Sequence, residues 1–223
     1  MIADNLKAVL FDLDGTLVDS TEIDRLAFEN LMWDYLKLKV PTDAFNQYRG
    51  TPLPKILENF TSIDRIHELL VAWMGYKTRF QTKMVLYPGI RLMLEHLHDA
   101  GPKLAIVTSQ SDLECSLSRD LIRLDDLIDV WVTASQTKAT KPDPAPVEAA
   151  LRQLRVSAQE AVMVGDTFND LEAGQRAGTY IGAVLWGFGK YEKLLSYEPD
   201  FVFREVKDLC NLIQVTEANK KFC

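Results

Sequence analysis

Cysteine and histidine are scarce in this chain. Three cysteines, Cys115, Cys210 and Cys223, are widely spaced. They form neither a Cys-x-x-Cys metal site nor the dense framework of a small disulfide-bonded domain. The reading is free thiols in a reducing compartment. The three histidines, His67, His96 and His98, fall in predicted helices far from any catalytic pattern. That disfavours histidine catalysis and a His-based zinc site, and suits surface or partly packed positions. Positive charge is also in deficit. Lys and Arg number 25 against 32 Asp and Glu, for a formal net charge of -7. Nucleic acid and anionic membranes are therefore not expected partners. No apolar run approaches the ~18 residues needed to span a bilayer. The first apolar run is broken by Asp12 and Asp14 and has no basic segment before it, so no secretory signal is expected. The expected location is the cytoplasm. Internal repeats and low-complexity segments are missing too.

What is present suits a folded core. The 223 residues are 47% hydrophobic, enough for one domain with an insertion or for two small ones. From residue 88 onward, strands and helices alternate. Pro88 and Gly89 open a helix that Gly101 closes near Ala100, with Leu92, Met93 and Leu97 apolar. Strand 103–108, a helix over 112–124, strand 130–133, helix 144–155, strand 160–165, helix 169–177, strand 180–185 and a short strand 201–203 follow. This alternation predicts an α/β fold: a Rossmann-like, doubly wound parallel sheet with ligands at the strands' carboxyl ends. Residues 18–86 break the pattern. They read as helices at 20–38, 52–60 and 63–81, the first with Leu26, Leu31, Tyr35 and Leu38 on one stripe. The expected organisation is an α/β core of residues 1–17 and 87–223 and an all-helical domain of residues 18–86, hinged at 18–20 and 85–88.

Residues 7–16 read Lys-Ala-Val-Leu-Phe-Asp-Leu-Asp-Gly-Thr. Alternate residues of a strand share a side, so Asp12 and Asp14 converge while Leu13 points back to the core. Gly15 allows the sharp turn that follows. Two convergent carboxylates at a buried strand end are costly unless a metal or ligand uses them. Three later segments join this one. Residues 104–109 are an apolar strand ending in Thr108 and Ser109. Residues 141–144, Lys-Pro-Asp-Pro, set Lys141 just before a helix. Residues 161–170 are a strand ending in Gly165 with Asp166 and Asp170 beyond it. Singly, each has an ordinary explanation: a helix cap for Thr108, a surface charge for Lys141, acids near a helix start for Asp166 and Asp170.

All four segments in this order resemble the haloacid dehalogenase superfamily of phosphotransferases, over nearly the whole chain. The resemblance implies a phosphatase that works through an aspartyl-phosphate. Asp12 would be the nucleophile and Asp14 the general acid and base. Thr108 and Lys141 would complete the catalytic set and bind phosphate, with the Ser109 amide beside them. Mg2+ would be held by Asp12, Asp166, the Asp14 carbonyl and, directly or through water, Asp170. Gly165 would let backbone pack under the metal. Thr167 or Asn169 would cap the next helix, and Asp19 or Ser20 the first inserted one. Relatives also suggest a cis Lys141–Pro142 bond. The helical insertion would be a cap that chooses the substrate. Its segment 47–53 resembles the loop that phosphoglycolate phosphatase-like members lower over the site, with Arg49 and Gly50 binding substrate and Arg49 gripping a second anion. Segment 181–203 resembles the same subfamily. The expected activity is hydrolysis of a small phosphorylated metabolite, phosphoglycolate being the nominal substrate. The alternatives are an inorganic pyrophosphatase, a β-phosphoglucomutase-type isomerase, or a non-catalytic regulatory protein on the same fold. Mutases carry a histidine where Asp24 stands here. An aspartate at 14 implies a leaving oxygen that must be protonated.

Overall fold

The short apolar runs, separated by amphipathic helices, pair into one parallel sheet. A computed structural model describes residues 6–42, 44–48 and 53–213. The chain divides into two compact units, one of Met1–Asp19 with Val85–Cys223, the other Ser20–Met84.

The first unit holds a six-stranded sheet. Its strands are β1 (Ala8–Phe11), β4 (Lys103–Val107), β5 (Val130–Val132), β6 (Ala161–Gly165), β7 (Tyr180–Val184) and β8 (Phe201–Phe203), in the order β5-β4-β1-β6-β7-β8. Every pairing within it is parallel. β1 and β6 are buried throughout, which is why both read as unbroken apolar runs rather than alternating ones. The helices are α4 (Ile90–Ala100), α5 (Asp112–Ile122), α6 (Ala145–Leu154), α7 (Phe168–Ala177) and the short α8 (Tyr191–Leu195), which the sequence pattern did not indicate. α4 ends where predicted, at Gly101 with φ 109°. The cap of α5 is Ser111, whose hydroxyl and backbone form a capping box with Glu114; Thr108 is not a helix cap. Leu10, Val107, Val147, Leu154 and Met163 meet in one core.

A small antiparallel ribbon, β2 (Val18–Asp19) with β3 (Val85–Leu86), belongs to this unit. The two junctions therefore fall two residues inside the expected 18–86 insertion, because the ribbon pairs the chain's exit with its return. Two residue expectations change. His96 is buried, since it shares the inner face of α4 with Met93 and Leu97, while Leu92 is exposed. Cys210 is disulfide-bonded rather than a free thiol, whereas Cys115 is free and buried.

The second unit is helical: α1 (Thr21–Leu36), a 3-10 turn at Ala44–Tyr48, α2 (Leu53–Leu57) and α3 (Ile63–Phe80). α1 buries Ile23, Ala27, Phe28, Leu31 and Met32. Tyr35 and Leu38 are exposed, against the predicted stripe. The helix stops at Leu36 with Lys37 left-handed at φ 55°, which takes Leu38 off the helical period. Phe28 packs among the rings of Phe45, Tyr48 and Phe60. Ser20 occupies the N-cap position of α1, but its side chain makes no capping bond. Among the described residues, no helix is long and apolar enough to cross a membrane.

Candidate active site

β4, β1 and β6 are neighbours at the middle of the sheet, and the chain crosses from one side of β1 to the other between β5 and β6. Loops at the carboxyl ends of such strands part and leave a crevice. Asp12 follows β1 directly, and its amide still bonds to the Val164 carbonyl at 2.9 Å. Leu13 is fully buried, and Asp12 is buried beside it just past the end of β1. The chain then doubles back. Gly15 takes φ 86°, its amide bonds to the Val18 carbonyl, and the amides of Thr16, Leu17 and Val18 converge on the Leu13 carbonyl. An L side chain at Gly15 would be strained.

The structure gathers four predicted residues into one buried cluster. Lys141 Nζ donates to Asp12 Oδ1 at 2.5 Å, to Asp170 Oδ1 at 2.6 Å and to the Val107 carbonyl at 2.8 Å. These use all three ammonium protons. The Lys141–Pro142 bond ahead of α6 is cis, as expected. Asp166 is fully buried. Its Oδ1 accepts from Thr16 Oγ1 at 3.1 Å and its Oδ2 from the Phe188 amide at 2.7 Å. Asp170 lies in the first turn of α7, whose N-cap is Thr167. Asp170 Oδ2 accepts from the Thr167 amide at 2.9 Å and hydroxyl at 2.6 Å. Asn169 is inside the helix and is not the cap. Gly165 packs tightly against Asp170. A Cβ there would lie 2.2 Å from Asp170 Cβ, so the missing side chain makes room for Asp170.

Asp12, Asp166 and Asp170 each offer an oxygen within 4.8 Å of the others. Burial, then the Asp170 charge, pushes the Asp12 carboxyl up to about 7, against the opposing pull of Lys141. The Asp166 carboxyl is raised well above its ordinary value by burial, then by the charges of Asp12 and Asp170. Burial alone would lower the Lys141 ammonium's pKa. The charges and hydrogen bonds of Asp12 and Asp170 outweigh that and hold it above the ordinary lysine value. When all three carboxyls are ionised, a single ammonium leaves two negative charges uncompensated in a desolvated site. A divalent cation of hard, oxygen-seeking character fits that donor set.

The Asp14 carboxyl hydrogen-bonds outside this cluster, although its charge also acts on Asp12. Its Oδ2 accepts from Gln110 Nε2 at 2.7 Å, and its Oδ1 is buried with no hydrogen-bond partner among the described residues. Thr108, buried after β4, accepts from the Gln110 amide through Oγ1 at 3.1 Å. Ser109 is exposed beside it. Arg49 and Gly50 lie outside the described residues. Sequence reasoning missed Thr16, Gln110 and the Phe188 amide. Thr16 sits beside Gly15 in the first motif and was open to notice. The other two act through contacts far along the chain, which no local spacing reveals. A cavity of about 380 Å³ beside α5 and β5 is lined by other residues, including Asp112, Cys115, Arg119 and Trp131. Arg119 there already binds Asp125 and stacks on Trp131.

Residues 9–184 match the family described as haloacid dehalogenase-like hydrolase. The chain is 30% identical over 215 residues to a protein of Anoxybacillus flavithermus named pyrophosphatase PpaX, covering 95% of this chain and 99% of that one. A candidate phosphoglycolate phosphatase structure from Lactobacillus plantarum superposes with a TM-score of 0.82 at 24% identity, covering 94% of this chain and all of that one. That likeness concerns the fold. A candidate β-phosphoglucomutase structure from Thermotoga maritima gives 0.75 at 26% identity, covering 93% and 98%.

Proposed function

The chain belongs to the haloacid dehalogenase-like hydrolase family, and on that premise we propose that this hydrolase is a magnesium-dependent phosphatase of a small phosphorylated metabolite. The observation that carries the reading is the buried cluster: Asp12 in contact with Lys141, with Asp166 and Asp170 oxygens close by. Such a cluster is unfavourable as a purely structural element, because its negative charge exceeds its positive charge in a dry site.

Asp12 is the nucleophile. Its carboxylate oxygen forms a bond to phosphorus as the bond from phosphorus to the leaving oxygen breaks. Asp14 gives that oxygen a proton. It then takes a proton from the water that attacks the aspartyl-phosphate and returns Asp12 to its carboxylate. Lys141 holds Asp12 in place and offsets charge on the transferred group, and Thr108 donates to a phosphate oxygen. Asp12, Asp166, Asp170 and the Asp14 carbonyl would hold Mg2+, which supplies neutralisation of the repulsion between carboxylate and phosphate. The α/β unit is the catalytic core. The helical unit is a cap that selects substrate, with Arg49 and Gly50 in the selecting loop.

Phosphoglycolate is the leading substrate, since Arg49 offers a cation for its carboxylate. A pyrophosphatase is the second reading, supported by the name of the 30% identical relative. Mutase chemistry is less supported, because Asp24 stands at the histidine position and pairs with Lys77 at 3.2 Å. The test is turnover on a panel of phosphate monoesters, phosphoglycolate and pyrophosphate, with Mg2+ and with chelator. Magnesium-dependent release of phosphate from phosphoglycolate is expected. Turnover of pyrophosphate alone would select the second reading, and no turnover on any member would overturn both.

A further inference from the structure

We propose that Gln110 is a positioning residue for Asp14, and that Ser118 in turn fixes Gln110. The proposal rests on the reading of Asp14 as general acid and base.

Gln110 follows β4 by three residues and is buried. A buried amide is unfavourable unless both of its ends are paired. Here both are. Nε2 donates to Asp14 Oδ2 at 2.7 Å, and Oε1 accepts from Ser118 Oγ at 2.9 Å. Ser118 is itself buried on the inner face of α5. With Nε2 on Asp14 Oδ2 and Oε1 on Ser118 Oγ, each end of the amide has its own partner. The backbone of Gln110 is held as well. Its amide bonds to Thr108 Oγ1 at 3.1 Å and its carbonyl accepts from the Ala134 amide at 2.9 Å.

The consequence falls on Asp14. One carboxylate oxygen is anchored, and the other is buried without a partner among the described residues. An acid-base group needs this arrangement: a fixed rotamer, and one oxygen left for the proton it transfers. Ser118, Gln110 and Asp14 thus form a relay of position from α5 to the crevice. A loop-filling role for Gln110 would need no donor aimed at Asp14.

The two roles separate on the leaving group. The ratio kcat/KM reports the first irreversible step, in which the leaving oxygen departs. It is measured for esters running from p-nitrophenyl phosphate to simple alkyl phosphates, with the wild type, Gln110→Met, Ser118→Ala, Ser118→Thr and Asp14→Asn. Nitrophenolate leaves without a proton; an alkoxide does not. Gln110→Met is expected to lose roughly 10- to 100-fold on alkyl phosphates, the scale of one hydrogen bond to a charged group, and little on p-nitrophenyl phosphate. Its leaving-group dependence should steepen in the direction of Asp14→Asn. Ser118→Ala should move the same way by less, and Ser118→Thr should restore the wild-type dependence. An equal loss across the series, or none, in Gln110→Met would overturn the positioning role. Should Gln110→Met fail to fold, Ser118→Ala decides the question by the same two patterns. If Asp14→Asn itself keeps the wild-type dependence, the fault lies with the acid-base reading of Asp14 and not with Gln110 alone.

Discussion

Removing metal from this protein should make its stability fall as pH rises from 5 to 8. The perturbation is simple: melt the protein in chelator across that range. Burial and the Asp170 charge push the Asp12 carboxyl from 3.8 to about 7. The folded state therefore binds more protons than the unfolded chain between those values, and stability drops as pH rises through them. A rise of about three units, at about 1.36 kcal/mol each, gives roughly 4 kcal/mol in all. Of this, roughly 2–3 kcal/mol falls between pH 5 and pH 8, because the rest of the change lies below pH 5. Asp166 is raised too and acts in the same direction. Lys141 is raised above its ordinary value, so it stays charged throughout. Glu22, Asp64 and Glu160 are lowered and have finished titrating below this window. For a chain of this length, about 2–3 kcal/mol corresponds to a melting shift of roughly 5–10 °C. Magnesium needs the ionised carboxylates, so it should stabilise more at pH 8 than at pH 5 and flatten the profile. Calorimetry with and without Mg2+ at both pH values reads this directly. Asp12→Asn, which removes the titrating carboxyl, isolates its share of the slope. A metal-free profile that rises towards pH 8, or a magnesium shift equal at both pH values, would refute the reasoning.

Further outcomes follow from the same cluster and from the cap. Asp12→Asn should fold and lose hydrolysis, since an amide cannot be phosphorylated, and Asp14→Asn should slow turnover by roughly 100-fold or more; wild-type rates in either would end the aspartyl-phosphate mechanism. Gly187→Ala should weaken Mg2+ binding, measured by titration calorimetry, because its Cβ would lie 2.3 Å from Asp166 Cβ and 2.4 Å from the Gly15 carbonyl. The accompanying loss of stability should be about 1–3 kcal/mol, as for other overpacked sites, and unchanged affinity would show that the loop at Gly187 does not hold Asp166. Arg49→Ala should impair phosphoglycolate and pyrophosphate by about 1.5–3 kcal/mol while sparing p-nitrophenyl phosphate, which has no second anion; equal effects on all three would mean that Arg49 reads nothing.

Much of the α/β unit was legible in the chain because its signals are local. A strand buried on both faces must be apolar along its length, and β1 and β6 are. The turn expected after Asp14 closes on Gly15 at positive φ. Thr108 and Asp166 each directly follow a strand, β4 and β6, that flanks β1, while Lys141 comes from the segment ahead of α6. The helical unit was legible as helix but less so in its facing. Periodicity identifies a stripe only while the helix lasts, and a left-handed Lys37 put Leu38 outside it. What only tertiary structure decided is which groups meet across long separations. Gln110 reaches Asp14 over 96 residues, Thr16 reaches Asp166 over 150, and Gly165 makes room for Asp170. These contacts depend on the sheet order and on how each loop turns after its strand. Hydrogen-bond and packing partners of that kind are set by the fold as a whole, and no spacing in the sequence encodes them.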